Sequence, residues 1–279
     1  MKAPGTALVT GATGGIGRWI ALGLAEAGHP VVLVGRNRER GEGVRSWIAA
    51  KVPSARTELV LLDLSSIAET RNLGRRIASE HGDLSLLVLN AGTFTARRQV
   101  TPEGHERVLA TNHLSPFVLM RELEEVLRVN APARIVTVGS NSSDRASIDP
   151  GNLELTRGWN MLRAYARSKL AVTMATFDAA RRLQGTGVTA NVVHPGAVAT
   201  NLIRTPGIIG LSWRMLAPFF RSEEEGAVTP LHMALSPTLR EATGLYLKDR
   251  RAVPPNPRAL DPALVSRVCF ETERLIGRS

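Results

Sequence analysis

The stretch that decides the fold is "TALVTGATGGIG", residues 6–17. Its first five residues, 6–10, are apolar or β-branched and predict a buried strand. Glycines follow at positions 11, 15 and 17, where an apolar helical pattern begins. Glycine lets the backbone approach a ligand because it has no Cβ atom, and a helix N-terminus offers amide donors to an anion. The stretch therefore predicts a strand, a phosphate-binding turn and a helix; the alternative is a glycine-rich turn that binds nothing.

The same strand–helix order repeats along the chain. Continuous apolar runs predict buried strands at 6–10, 30–35, 58–63, 84–90, 134–140 and 188–194, with a shorter run at 243–247. Helical patterns fill the intervals at 15–28, 39–50, 66–81, 102–128 and 160–184, and another occupies 261–277. This alternation predicts an α/β fold, a doubly wound parallel sheet of Rossmann type with about seven strands and helices on both faces. We expect one domain over residues 1–279, with a substrate lid at about 197–230.

Composition narrows the class of protein. The 279 residues carry a formal net charge of +10, but the arginines are scattered and aromatic residues make up only 4%. Nucleic-acid binding would need a basic stripe and stacking aromatics, so we expect none, and an anionic small ligand instead. The single cysteine, Cys269, excludes an intrachain disulfide, and the N-terminus enters a strand rather than a signal peptide. A cytoplasmic location without a membrane-spanning segment is expected.

The segment "GRNRERG", residues 35–41, follows the second predicted strand. It indicates which dinucleotide the glycine-rich turn would bind. An NAD site usually has an acid here for the ribose 2′-hydroxyl. This chain has Arg36, Arg38 and Arg40 instead, and guanidinium groups bind a 2′-phosphate that a carboxylate would repel. The pattern predicts NADP(H); the alternative is a charged, solvated helix start.

A tyrosine and a lysine, Tyr165 and Lys169, stand four residues apart in a predicted helix. The chain has only two tyrosines, and its cations are nearly all arginine. Residues at i and i+4 share a helix face. A carbonyl reduced by hydride needs a proton, and we expect the ammonium to lower the phenol pKa from about 10 toward neutrality. In isolation the pair would also fit a solvated surface contact.

Together these motifs resemble the short-chain dehydrogenase/reductase family, in its retinol dehydrogenase-like branch. The resemblance is carried by "TGATGGIG" (10–17), "GRNRERGE" (35–42), "NAG" (90–92), "TNHLSPFVL" (111–119), "YARSKLA" (165–171) and "HPGAVATNL" (194–202). It implies an NADP(H)-dependent oxidoreductase acting on a small-molecule carbonyl or alcohol. One departure is Gly139, where the family commonly has serine; we expect it to leave Ser140 undisturbed.

The resemblance also implies a role for individual residues. The cofactor-binding set is Gly11, Thr13, Gly14, Gly15, Ile16 and Gly17 in the first turn, Arg36 and Arg40 at the 2′-phosphate, Asp63 and Leu64 near the adenine, Asn90, Ala91 and Gly92 at the ribose, Tyr165, Lys169, and Pro195, Gly196, Val198 and Thr200 at the nicotinamide. In the catalytic tetrad, Tyr165 is the general acid/base and Ser140 polarises the carbonyl. Lys169 binds ribose and tunes Tyr165, while Asn112 holds a water.

Several alternatives stay open. The apolar stretch 206–220 is read as a lid over a lipophilic substrate, but a membrane-surface contact or a dimer contact also fits it. A secondary metabolite is an equal candidate for the substrate. A silent NADP(H)-binding sensor and a nucleotide-sugar epimerase are the rival functions, and the resemblance allows a homodimer. His113 and His194 lack metal-ligand spacing, so we expect packing residues and no metal.

Overall fold

A computed structural model describes residues 4–196, 198 and 221–277. Thr200 and the apolar stretch 206–220 lie outside the described residues. Of the predicted lid, Val198 and residues 221–230 are described, and most of the latter belong to a helix that packs on the body. The lid therefore stays a prediction.

One sheet of eight strands forms the centre of the fold, in the order β3-β2-β1-β4-β5-β6-β7-β8. The strands are β1 Ala7–Thr10, β2 Val31–Gly35, β3 Thr57–Leu61, β4 Leu86–Leu89, β5 Ala133–Val138, β6 Val188–His194, β7 Tyr246–Lys248 and β8 Arg251–Ala252. Strands β1 to β7 are parallel, and β8 is antiparallel to β7. The predicted doubly wound, Rossmann-type sheet is confirmed. The eighth strand was not predicted; it returns through Asp249 and Arg250, whose φ angles of 52° and 62° form a tight turn.

Helices cover both faces of the sheet. They are α1 Gly15–Glu26, α2 Arg38–Lys51, α3 Ile67–Glu80, α4 Arg107–Leu109, α5 Ser115–Glu122, α6 Glu124–Val129, α7 Met161–Arg182, α8 Glu223–Leu235 and α9 Pro262–Leu275. Apolar residues of α1, α2 and α8 form a core with one face of the sheet, and those of α3, α5, α7 and α9 form a core with the other. No helix within the described ranges is both long and apolar enough to cross a bilayer.

Local capping fixes where the helices near the site begin. The Asn37 side chain accepts a hydrogen bond from the Arg40 amide and starts α2 directly after β2. Asn160 does the same for α7, accepting from the Arg163 amide at 2.9 Å. Such caps satisfy amides that have no partner inside the helix, so each helix starts at a defined residue.

The helix predicted over 102–128 is confirmed only from Arg107 onward, and it is not a single regular helix, because interruptions separate α4, α5 and α6. Between α4 and α5 the chain forms a π-helical turn, Ala110–Leu114. Pro116 has no N–H to donate to the carbonyl of Asn112 four residues earlier, which weakens the α-helical ladder at this point. The turn brings Asn112 into the interior, where its side chain is almost fully buried. Such turns are frequent at functional sites.

Candidate functional site

The described candidate residues gather at one edge of the sheet. Because β1 to β6 are parallel, their carboxyl ends meet at the same edge, and the predicted positions follow those ends or lie on the helices beside them. This is the edge at which ligands bind in open α/β sheets. We call the turn 10–17 and the residues beside it the glycine end. Ser140, Tyr165, Lys169 and the turn 194–196 form the tyrosine end.

At the glycine end the turn depends on missing side chains. Gly11 and Gly15 have φ angles of 66° and 57°, the left-handed region that favours glycine. A Cβ atom built on Gly17 would lie 2.2 Å from the carbonyl oxygen of Gly11. Gly14 is exposed, and a Cβ atom there would meet nothing within 4 Å. The first turn of α1 has no side-chain cap, so its amides are left available to an anion.

Hydrogen bonds between the ends of β1 and β4 hold this turn in place. The Thr10 hydroxyl accepts from the Asn90 amide at 3.0 Å and from the Ala91 amide at 3.1 Å. The Asn90 side chain donates to the Thr10 carbonyl at 2.9 Å and to the Gly11 carbonyl at 3.3 Å. Thr10 was not a predicted site residue, although a hydroxyl at the end of an otherwise apolar strand is a signal that could have found it.

Arg36 and Arg40 lie exposed after β2, and neither forms a salt bridge with any residue the structure describes. Gly35, which precedes them, is fixed by packing, because a Cβ atom there would lie 2.3 Å from the Thr13 methyl group. Two guanidinium groups that form no salt bridge with a described carboxylate therefore follow the strand beside the glycine-rich turn. This arrangement leaves their donors available to an anion.

After β3, the carboxylate of Asp63 has protein partners. It accepts from the Ser65 amide at 3.0 Å and pairs with Arg107 at 2.9 Å. Burial opposes ionisation, but the Ser65 hydrogen bonds and the charges of Arg107 and Arg36 outweigh it, so the pKa of Asp63 lies below its usual value. The next residue, Leu64, is buried in the core. Asp63 is thus an ionised carboxylate that pairs with Arg107 and also interacts with the charge of Arg36.

At the tyrosine end, Ser140 follows β5 in a loop held by side chains. Its hydroxyl lies 2.7 Å from the Ser142 hydroxyl, and its carbonyl accepts from the Tyr246 hydroxyl at 3.3 Å. Tyr246 also donates to Asp144 at 3.3 Å. A Cβ atom on Gly139 would lie 2.8 Å from Cγ1 of Val192, which explains why glycine replaces the serine expected there.

Tyr165 and Lys169 share one face of α7, as their spacing predicted. The Lys169 ammonium is buried, lies 6.0 Å from the centre of the Tyr165 ring, and donates to the Val138 carbonyl at 2.8 Å. An ammonium has three donors, and among the described residues only this acceptor is in hydrogen-bond contact with it. Burial lowers the pKa of Lys169 to about 8.

The expected lowering of the Tyr165 pKa is wrong for this structure. Burial raises the pKa of the phenol, and a hydrogen bond with the Ser140 side chain opposes that rise. The Lys169 ammonium lies 6.0 Å from the centre of the ring and donates to the Val138 carbonyl, and its charge does not outweigh burial. The phenol therefore stays protonated at neutral pH and is a proton donor beside Ser140.

The Asn112 side chain holds the loop after β4 against the tyrosine end. Its side-chain oxygen accepts from the Thr93 amide at 2.7 Å, and its nitrogen donates to the Thr93 carbonyl and to the Ser168 hydroxyl, each at 3.0 Å. The side chain thus joins the loop after β4 to α7 at Ser168, three residues after Tyr165. The predicted water on Asn112 stays a prediction.

The turn after β6 contains Pro195 and Gly196. The Gly196 amide donates to Nδ1 of His194 at 2.9 Å, a bond that the interpretation of His194 as a packing residue missed. Val198 and Ile16 both approach α8: a Cβ atom on Gly226 would lie 2.7 Å and 3.1 Å from their side chains. His113, by contrast, is a buried packing residue whose Nε2 contacts Thr272 at 2.7 Å.

These features fit a dinucleotide along the edge of the sheet. The uncapped N-terminus of α1, the open space over Gly14 and the unpaired guanidiniums suit phosphates. The spare donors of the buried Lys169 suit ribose hydroxyls at the other end. Residues that would contact both halves of such a ligand are therefore present, apart from Thr200, which is outside the described ranges.

Comparison with known proteins agrees with this geometry. The sequence model of a family described as short chain dehydrogenase matches residues 5–206. Retinol dehydrogenase 12 of Homo sapiens is 35% identical over 99% of this chain and 88% of its own length. Polyprenol dehydrogenase of Mus musculus is 38% identical over 97% of this chain and 83% of its own. A short chain dehydrogenase from Burkholderia cenocepacia J2315, solved in complex with NADP, superposes with a TM-score of 0.72 at 28% identity, covering 88% of this chain and 96% of that one.

Proposed function

We propose a specific activity from the premise that this chain belongs to the short-chain dehydrogenase/reductase family and is an oxidoreductase. The activity is hydride transfer between NADP(H) and a lipophilic alcohol or carbonyl compound. The observation that carries it is the position of the Tyr165 phenol beside Ser140, on the sheet edge that also bears Arg36 and Arg40.

The choice of NADP(H) rests on charge at the glycine end. Arg36 and Arg40 are exposed and without salt bridges among the described residues, and Gly35 leaves no acid at the end of β2. A 2′-phosphate would be held by charge-assisted hydrogen bonds from these guanidiniums. The structure of the Burkholderia cenocepacia relative with NADP supports the same choice.

The lipophilic substrate is inferred from the surroundings of Tyr165. The Phe94 ring packs edge-on against the Tyr165 ring, with centroids 5.4 Å apart. Leu162, one turn earlier on α7, is 68% exposed. An exposed leucine and an aromatic edge beside the phenol favour an apolar substrate body. The names of the relatives, which act on retinol and polyprenol, point the same way.

In the proposed reaction each residue of the tetrad has one task. When bound, the nicotinamide supplies the hydride for reduction and accepts it in oxidation. The Tyr165 hydroxyl gives its proton to the carbonyl oxygen, and in the reverse direction the phenolate takes the alcohol proton. The Ser140 hydroxyl donates a hydrogen bond to the same oxygen and so stabilises the charge that develops there. Lys169 would hold the ribose with its remaining donors, and Asn112 holds the loop after β4 against α7.

The first test is cofactor preference. We expect the wild type to bind NADPH about ten- to a hundredfold more tightly than NADH, because charged hydrogen bonds to the 2′-phosphate contribute on that scale. Arg36→Asp should reverse the order. Fluorescence titration with both nucleotides measures this preference. Arg38→Asp is the control, because it makes the same charge change two residues away.

Turnover is tested separately with NADPH and a panel of long-chain aldehydes and ketones beside short, polar ones. Faster consumption with the long-chain compounds supports the proposal. A wild type that prefers NADH would contradict the cofactor assignment. Tight NADPH binding with no turnover of any compound would favour the silent binding protein.

A further inference from the structure

The turn after β6 is controlled by a buried histidine. His194 is the last residue of β6, is 2% exposed, and pairs with Lys248 of β7. Pro195 has no N–H, so the Gly196 amide is the first donor beyond the strand. That amide donates to Nδ1 of His194 at 2.9 Å. The ring thus closes the turn onto the end of its own strand.

We propose that His194 is a positioning residue: its neutral Nδ1 holds the Gly196 amide and thereby fixes the turn that receives the nicotinamide half of the dinucleotide. The identity of the ligand rests on the proposed function, whereas the contact between His194 and Gly196 does not. A neutral imidazole has one acceptor nitrogen, and the protonated ring has none. The hydrogen bond therefore exists in one protonation state only.

The other side of Gly196 is fixed as well. Its φ angle is 89°, and a Cβ atom there would lie 2.9 Å from both Cδ and Nη1 of Arg221. Arg221 in turn forms an ion pair with Asp249 in the turn between β7 and β8. Gly196 is therefore held between an acceptor on β6 and a guanidinium anchored to the next hairpin, so loss of the acceptor frees the amide while the packing remains.

Charged groups face His194 from every neighbouring element. Lys248 on β7 and Arg221 before α8 disfavour its protonation, while Asp144 in the loop after β5 and Asp249 favour it. Burial is the largest influence, and the net result is a pKa below the ordinary value. The acceptor form is consequently complete above the ordinary value of about 6.5 and is lost only as the pH falls through the lowered pKa.

Two substitutions separate positioning from mere packing. His194→Leu keeps an apolar body of similar size and removes the acceptor. His194→Asn puts Oδ1 in the position of Nδ1, two bonds beyond Cβ, and this acceptor does not titrate. His29→Leu is the matched control, since His29 also bonds a backbone group through Nδ1, to the Gly5 carbonyl at 2.7 Å, in the loop between α1 and β2.

Two readouts are measured: hydrogen–deuterium exchange of the peptide containing Gly196 in the free protein, and the Kd of NADPH from about pH 8 down through the pKa of His194, which the imidazole NMR resonances follow. We expect His194→Leu to speed exchange and to weaken NADPH binding about three- to tenfold at pH 8, the scale of one hydrogen bond. His194→Asn should restore both values. Across the titration of His194 the wild type should lose affinity by more than the Asn variant, and His29→Leu should match the wild type.

Unchanged exchange at Gly196 in His194→Leu overturns the proposal, as does an Asn variant that behaves like the Leu variant. Equal pH dependence of NADPH binding in the wild type and His194→Asn overturns it too, and this comparison needs no Leu variant if that one fails to fold. A wild type that binds neither NADPH nor NADH would refute the proposed function instead, while the exchange rates would still decide whether His194 holds the turn.

Discussion

The glycine end of the sheet edge is built from backbone, and the tyrosine end is built from side chains that meet across the fold. Around Gly11 and Gly17 the geometry depends on the absence of Cβ atoms. Around Ser140 and Tyr165 it depends on contacts such as the bond from Tyr246, which lies 106 residues away in sequence. A site of the first kind is lost when atoms are added, and a site of the second kind is lost when atoms are removed.

The largest expected effect comes from removing one oxygen atom at the tyrosine end. Tyr165→Phe keeps the ring against Phe94 but deletes the proton donor. We expect kcat to fall about 10²- to 10⁴-fold, the usual contribution of general acid–base catalysis, with the Kd of NADPH unchanged. Single-turnover rates measure the loss in the catalytic step, and nucleotide titration measures the Kd of NADPH. Retention of kcat within about tenfold would show that the proton comes from another group.

Adding one methyl group tests the glycine end. Gly17→Ala would place Cβ 2.2 Å from the Gly11 carbonyl oxygen, where nothing can yield without moving the turn. We expect the free energy of unfolding to fall by about 1–3 kcal/mol and NADPH binding to weaken in parallel. Urea unfolding and fluorescence titration are the measurements.

Two other glycines supply the controls. Gly43→Ala, on the exposed face of α2 with nothing within 4 Å, should raise stability by about 0.5–1 kcal/mol. Gly14→Ala also has open space and should leave the stability of the free protein unchanged, yet weaken NADPH binding, since the ligand must pass there. If Gly14→Ala binds NADPH like the wild type, the dinucleotide does not cross this turn.

The smallest expected effect comes from the second tyrosine. Tyr246→Phe removes hydrogen bonds to the Ser140 carbonyl and to Asp144, both 3.3 Å long. We expect kcat to fall only about two- to tenfold, because the loop of Ser140 loosens while the phenol of Tyr165 stays. Steady-state kinetics with one aldehyde compare the two variants. Equal losses of kcat in Tyr165→Phe and Tyr246→Phe would show that Tyr246 matters as much to the reaction as Tyr165 does.

This contrast also separates what the sequence could predict from what it could not. The strands and the glycine-rich turn follow from patterns within a few residues, such as the apolar run 6–10 and the glycines after it. The shared helix face of Tyr165 and Lys169 was predictable from their spacing, whereas Ser140 and the turn 194–196 came from the family resemblance. The direction of the Tyr165 pKa shift was not predictable, because it depends on how deeply the assembled fold buries the phenol.

Contacts between distant segments account for the rest. Thr10 bonds to residues 80 and 81 positions away, and no local pattern indicates such a partner. The π-helical turn at Asn112 was missed because its apolar pattern suits a regular helix as well. His194 was read as a packing residue because its acceptor role depends on the turn that Gly196 makes beyond the strand.

The close approach of residues 139 and 192 has a consequence for how this chain can change over generations. A Cβ atom at position 139 would lie 2.8 Å from Cγ1 of Val192, so something there must shift when serine replaces the glycine. We expect Gly139→Ser to be tolerated better together with Val192→Ala, which removes that methyl group, than by itself. The two positions should therefore tend to change together, although they lie far apart in the sequence.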